Sequence, residues 1–84
     1  PASQITLQNE LLEQIHRAIE SLPEQCRIIF KLSRFDELKY AEIAEHLGIS
    51  IKTVENQMGK ALKVMREKLK DYLPLLIFLI SSCL

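Results

Sequence analysis

Tyr40-Ala41-Glu42-Ile43-Ala44-Glu45-His46-Leu47, then Gly48-Ile49-Ser50, then Ile51-Lys52-Thr53-Val54-Glu55-Asn56-Gln57-Met58 is the run that decides the fold. In its first part, Ala41, Ile43, Ala44 and Leu47 alternate with Glu42, Glu45 and His46, the pattern of a short amphipathic helix. Gly48 falls where a helix closes in a left-handed residue, a conformation that costs glycine little. Ile49 is an apolar plug between two helices. Ser50 is a good N-cap for the next one. That helix repeats apolar residues at Val54, Met58, Ala61, Leu62, Met65 and Leu69, a buried stripe at helical spacing. It is predicted to run to about Tyr72, with Pro74 marking its end.

The flanks extend the helical reading. Gln4 to Ser21 is predicted as a helix, with Leu11, Leu12, Ile15 and Ile19 on one face and Glu10, Glu13, Gln14, Arg17 and Glu20 mostly on the other. Ser21-Leu22-Pro23-Glu24 has capping-box spacing, with Pro23 suited to a first turn. It opens a helix to about Arg34, whose stripe is Cys26, Ile29 and Phe30. Phe35 to Leu38 breaks the period and reads as a connection. Two glycines and three prolines are too few for the regular turns of an all-β chain. The fold class is therefore all-α: a helix bundle containing a helix-turn-helix of the homeodomain-like or winged-helix-like type.

Eighty-four residues suffice for one domain. The expected division is residues 1–72 as that domain and 73–84 as an apolar tail. A chain opening on Pro1 rather than Met is expected to be a piece of a longer product, with a further domain ahead of it. In the tail, Leu75 to Ile80 is an unbroken apolar run, short of the roughly 20 residues a membrane span needs. Three readings of it stand: folding back on its own core, docking on a partner or a second copy, and lying on a membrane surface. Burial, in the domain or a partner, is favoured, because long apolar strips rarely stay exposed.

Net charge is zero, yet residues 50–70 carry +4 and residues 1–49 carry −3. A basic C-terminal half fits either a phosphate-binding surface or a solvated helix face. Cys26 and Cys83, with His16 and His46, show no metal-ligand spacing, and neither a metal nor a cofactor is expected. Nothing points to an oxidising compartment and no secretory signal is visible, so a cytoplasmic setting is expected. No Ser/His/Asp or Cys/His set, phosphate loop or paired carboxylates point to an enzyme.

The helix Ile51–Met65 is expected to enter the major groove, braced by the short helix before it, with Ala44 allowing close approach. Its outward residues are Lys52, Thr53, Glu55, Asn56, Gln57, Gly59, Lys60 and Lys63. Asn56 and Gln57 suit bidentate pairing with adenine, Glu55 suits the cytosine amino group, and Lys52, Lys60 and Lys63 suit guanine or phosphate. Ser50, Thr53 and the free first-turn N–H groups suit a phosphate oxygen. Gly59 reads equally as an opening for close sugar-phosphate approach and as a neutral surface position. Lys39 and Arg34 flank the brace helix, as phosphate contacts or as solvated charges. Tyr40 is expected to pack on the helix pair, and His46 to lie on the surface.

Leu22-Pro23-Glu24-Gln25-Cys26-Arg27, Tyr40 to Ser50, Thr53-Val54-Glu55-Asn56-Gln57, Ala61-Leu62 and Met65-Arg66 together resemble region 4 of a bacterial sigma factor, most nearly of the extracytoplasmic-function group. The resemblance covers roughly Leu11 to Leu69. It implies a domain that reads the promoter −35 element while docked on the β-subunit flap of RNA polymerase. It also implies a preceding domain for the −10 element and control by an anti-sigma factor, with self-association through the tail a further partner reading. The chain departs from the family where glycine and then Ser or Thr usually stand, at Glu37 and Lys39, which should weaken the brace-helix cap. Many members carry Arg or Lys where Glu55 and Gln57 stand, so the −35 sequence read should differ. Lys60 replaces a family Arg and loses its bidentate fork. Two other readings stay open: a response-regulator output domain, which has a similar core, and a helical interaction module with no DNA role. Leu22-Pro23-Glu24 and the Ala61-Leu62…Met65-Arg66-Glu67 continuation favour the sigma reading over the first.

Overall fold

The computed structural model describes the backbone of residues 2–72 and the side chains of residues 9–72. Among the described residues there are four α-helices and no strand: α1 (Ala2–Glu20), α2 (Glu24–Arg34), α3 (Tyr40–Leu47) and α4 (Ile51–Lys68). A 3₁₀ turn, Lys70–Tyr72, follows α4. The tail at 73–84 and the stop at Pro74 lie outside the described residues.

Helix α4 is the axis of the domain, packing on α1, α2 and α3. Its apolar period explains this. Val54, Met58, Ala61 and Met65 are all buried, and they meet Ala18 and Ile19 of α1, Cys26, Ile29 and Phe30 of α2, and Ile43 and Ala44 of α3 in one cluster. Val54, Ala61, Ile29 and Ile43 have no exposed surface. Burying side chains of this size contributes about 1.5–3 kcal/mol each for the larger aliphatic ones. Leu62 is only half-buried, at the stripe's edge, and Leu69 completes the cluster after α4 has ended.

Three local expectations are corrected. Ser21 does not cap α2: its hydroxyl donates to the Ala18 carbonyl at 2.6 Å and so closes α1. The N-cap of α2 is Pro23, with no side-chain hydrogen bond. Leu12 does not join the buried face of α1; it is 63% exposed, while Leu11 and Ile15 are half-buried and Ala18 takes the core place. The apolar stripe of α1 is wider than the surface α4 offers it. Finally, α4 does not run unbroken to Tyr72. It is capped at Leu69, whose N–H donates to the Met65 carbonyl, before the chain tightens into the 3₁₀ turn.

The turn between α3 and α4 matches its reading. Gly48 lies at φ 67°, ψ 37°, and its N–H donates to the carbonyls of Ala44 and Glu45. Ile49 donates to Ala44 and packs half-buried against the core. The α2–α3 connection contains Glu37 at φ 56°, left-handed backbone that a residue with a Cβ adopts at a cost.

Candidate nucleic-acid interface

Ser50 sets the start of α4. Its Oγ accepts from the Thr53 N–H at 3.0 Å, and the two hydroxyls lie 2.9 Å apart. The first-turn amides left without a helical carbonyl are therefore those of Ile51 and Lys52, not that of Thr53. Either hydroxyl can donate in this pair, and in the arrangement in which Ser50 donates, the Thr53 hydroxyl hydrogen is available to an incoming oxygen. The α4 N-terminus thus offers two N–H groups, a hydroxyl and the positive end of a helix dipole.

Along the helix, the face opposite the buried stripe follows from the same period. Lys52, Asn56 and Lys63 stand nearly opposite Val54, Ala61 and Met65, at about 100° per residue. Gly59 and Lys60 continue this ridge. Lys52, Glu55, Asn56, Gly59, Lys60 and Lys63 are exposed, and Thr53 and Gln57 half-buried. Gln57 lies on the flank toward α2, where its backbone carbonyl accepts the Cys26 Sγ–H at 3.3 Å. Burial pushes the Cys26 thiol above its usual range, against a smaller opposing effect of the Lys60 charge. Cys26 is thus a neutral pin between α2 and the middle of α4. Nothing lies within 4 Å of a Cβ built on Gly59, so the ridge has an opening there.

The nine sequence-predicted residues fall in two places. Ser50, Lys52, Thr53, Glu55, Asn56, Gln57, Lys60 and Lys63 all belong to α4 or its cap, on its outer side or flank. Lys39 stands apart, as the exposed N-cap of α3. Lysine has no acceptor, so the cap is made from the other side: the Glu42 carboxylate accepts from the Lys39 N–H at 2.9 Å. Half of a capping box survives there and leaves the Lys39 ammonium unused.

The charge pattern separates frame from face. The ion pairs among the described residues join Glu13 to Arg17 and Glu20 to Lys31 and Arg27. None uses a basic residue of α4, so Lys52, Lys60, Lys63, Arg66 and Lys68 are uncompensated among the described residues. Tyr40 packs half-buried on the core, and His16 and His46 are exposed. Sequence reasoning missed Ile51, an exposed apolar residue in the first turn of α4. It stands three residues before Val54 and seven before Met58, on the apolar side of the helix, so periodicity alone gave no signal that it would be exposed.

A short brace helix, a left-handed glycine turn and a capped second helix with an open basic face define a helix-turn-helix protein. The chain belongs to the sigma-70 region 4 family, whose model matches residues 12–65. It is 40% identical over 55 residues to the RNA polymerase sigma factor SigV of Bacillus subtilis, a match covering 66% of this chain and 33% of that protein. To the ECF RNA polymerase sigma factor SigW of Bacillus subtilis it is 34% identical over 62 residues, covering 74% and 33%. To the ECF RNA polymerase sigma-E factor of Escherichia coli it is 33% identical over 66 residues, covering 79% and 35%. The chain spans about a third of the length of these curated relatives. No solved structure matches it.

Proposed function

We propose that this chain binds promoter DNA at the −35 element as the region 4 domain of an RNA polymerase sigma factor, directing transcription initiation. The observation that carries the reading is the outer ridge of α4, Lys52, Asn56, Gly59, Lys60 and Lys63, which forms no ion pair among the described residues, in a member of the sigma-70 region 4 family.

The α4 N-terminus approaches a phosphate through the Ile51 and Lys52 amides and the Thr53 hydroxyl, with Ser50 holding the turn. Asn56 reaches a base edge from mid-face, with Glu55 and Gln57 on either flank. Lys60 and Lys63 follow the backbone, and Lys39 meets a phosphate from the brace helix. Core RNA polymerase is the protein partner, docked through its β-subunit flap, and an anti-sigma factor competes for the domain. Residues 1–72 form the reading unit, with 73–84 as an appended tail, acting in the cytoplasm without catalysis.

The test is an NMR titration of the labelled chain with short duplexes at low salt, since phosphate contacts weaken steeply as salt rises. Amide shifts concentrated in residues 50–63 are expected. Asn56→Ala should cost about 1–3 kcal/mol on the preferred site and relax discrimination at one base pair. Lys63→Ala should weaken all sequences about equally. Shifts confined to α1 and α2, or the reverse mutational pattern, would overturn the assignment. Binding to core polymerase separates this reading from a response-regulator output domain.

A further inference from the structure

Residues 56–66 of α4 carry three cations, Lys60, Lys63 and Arg66, and no acid, and the stretch is bracketed by Glu55 and Glu67. All five charged side chains are exposed, and none enters an ion pair among the described residues. The helical period sorts them by direction. At about 100° per residue, Arg66 lies roughly 20° to one side of Gly59 and Lys63 roughly 40° to the other, while Glu67 stands about 80° away. Lys68, only two residues past Arg66, points about 180° from Gly59. Gly59, Lys63 and Arg66 thus share one face at i, i+4 and i+7. Lys63 and Arg66 are neighbours on it, with about 5–6 Å between Cβ atoms. Gly59 precedes Arg66 by roughly 10 Å of helix, and nothing lies within 4 Å of a Cβ built there.

One strand of a duplex matches this layout, being bulky at the sugar and charged at the phosphate. The bare backbone at Gly59 admits the sugar closely, and the two cations beyond it meet phosphates. Arg66 adds a planar fork that can hold two phosphate oxygens at once. The carboxylates of Glu55 and Glu67 repel phosphate, so the strand crosses α4 within the acid-free window. An acidic protein segment offers the same charge, but with the first turns of α4 in the groove the ridge beyond them already faces DNA.

We infer, building on the region 4 reading proposed for α4, that Arg66 is a phosphate clamp. With Lys63 it grips the strand that passes over Gly59, and so sets the register in which α4 enters the groove. Arg66 and Lys68 both stand in the last turn, where either cation complements the helix dipole. A purely structural role would therefore make the two interchangeable, whereas the clamp uses Arg66 alone.

Fluorescence anisotropy of the 84-residue chain with a labelled mixed-sequence duplex, followed over a range of salt, separates the roles. Arg66→Ala should reduce the magnitude of the log–log salt slope by about 0.9, and Lys68→Ala should leave it unchanged. Arg66→Lys should restore the slope but only part of the affinity, because the fork is lost. Gly59→Ala combined with Arg66→Ala should weaken binding by less than the product of their separate factors, since both disturb one strand. A wild-type slope in Arg66→Ala, equal losses for Arg66→Ala and Lys68→Ala, or a double variant as weak as the product would each overturn the clamp. Those results can arise while wild type still binds with its shifts at residues 50–63, so the clamp falls and the DNA reading stands. Wild type that binds no duplex removes both. Polyglutamate binding that Arg66→Ala abolishes, with duplex binding kept, would reassign Arg66 to an acidic protein partner.

Discussion

Glu37 holds a left-handed backbone at φ 56° in the connection that delivers the chain to α3. A Cβ there is crowded, at a cost of roughly 1–2 kcal/mol per residue in that region. Glu37→Gly should therefore stabilise the domain by about 0.5–1 kcal/mol once the greater freedom of glycine in the unfolded chain is offset. Urea unfolding measures this, and a loss of stability would mean that the Glu37 side chain has a role its exposure does not reveal. Gly59 presents the opposite case. It lies inside a helix with open space where a Cβ would go, so Gly59→Ala should add about 0.5–1 kcal/mol. A variant that gains stability but loses DNA affinity would show the backbone at residue 59 approaching the duplex. One that gains stability and keeps its affinity would make residue 59 a plain surface position.

At the scale of the element, the start of α4 and the joint between α1 and α2 respond to different conditions. Ser50 caps α4 through the Thr53 N–H, and Ser50→Ala should cost about 1 kcal/mol, read as a lowered urea midpoint. The same change frees the Thr53 amide, so the first turn should exchange its amide hydrogens faster. Where α1 meets α2, Glu20 accepts from the Lys31 Nζ at 3.2 Å. That hydrogen bond, reinforced by the Lys31 charge and more weakly by Arg27 and His16, holds the Glu20 carboxyl below the usual carboxylate range. A carboxylate with a lowered folded-state pKa adds stability above its unfolded value, and loses it as pH falls through the folded one. Wild type should therefore melt slightly above Glu20→Gln at neutral pH. The difference should disappear in acid below the ordinary carboxylate range, and shrink in high salt because the pair is exposed. A gap in melting temperature that widens in acid would contradict this.

For the whole molecule, charge distribution matters more than net charge. A neutral total conceals +4 over residues 50–70 and −3 over residues 1–49. Among the described residues, the ion pairs tie α1 to α2 and brace α1 itself, and none engages the α4 cations. DNA affinity should therefore fall linearly with the logarithm of salt concentration. Replacing both Lys60 and Lys63 by alanine should reduce the magnitude of that slope by about two, near 0.9 for each phosphate no longer neutralised. Fluorescence anisotropy from low to physiological salt measures it. An unchanged slope would move those lysines off the duplex.

Much of this arrangement was legible in the chain itself. The helical period of Val54, Met58, Ala61 and Met65, the glycine at residue 48 and the serine at residue 50 are local signals. Their physics acts over one or two turns of backbone, so they specify α3, the turn and α4 without reference to the rest. The outer ridge of α4 followed as the complement of its buried stripe. Tertiary packing decided what local rules leave degenerate. Ser21 could bond forward or back, and it closes α1. Leu11, Leu12 and Ile15 are equivalent in hydropathy, but the width of the α4 surface lets only part of the α1 stripe bury. Lys39 has no acceptor to cap a helix, yet Glu42 lies close enough to cap it in return. Gln57 and Asn56 are neighbours of like chemistry that the helical period already sends to the flank and to the outer ridge, but only tertiary packing puts the Cys26 thiol of α2 against the Gln57 carbonyl. Sequence determines which faces are apolar, whereas the area available on neighbouring helices determines how much of each face is buried.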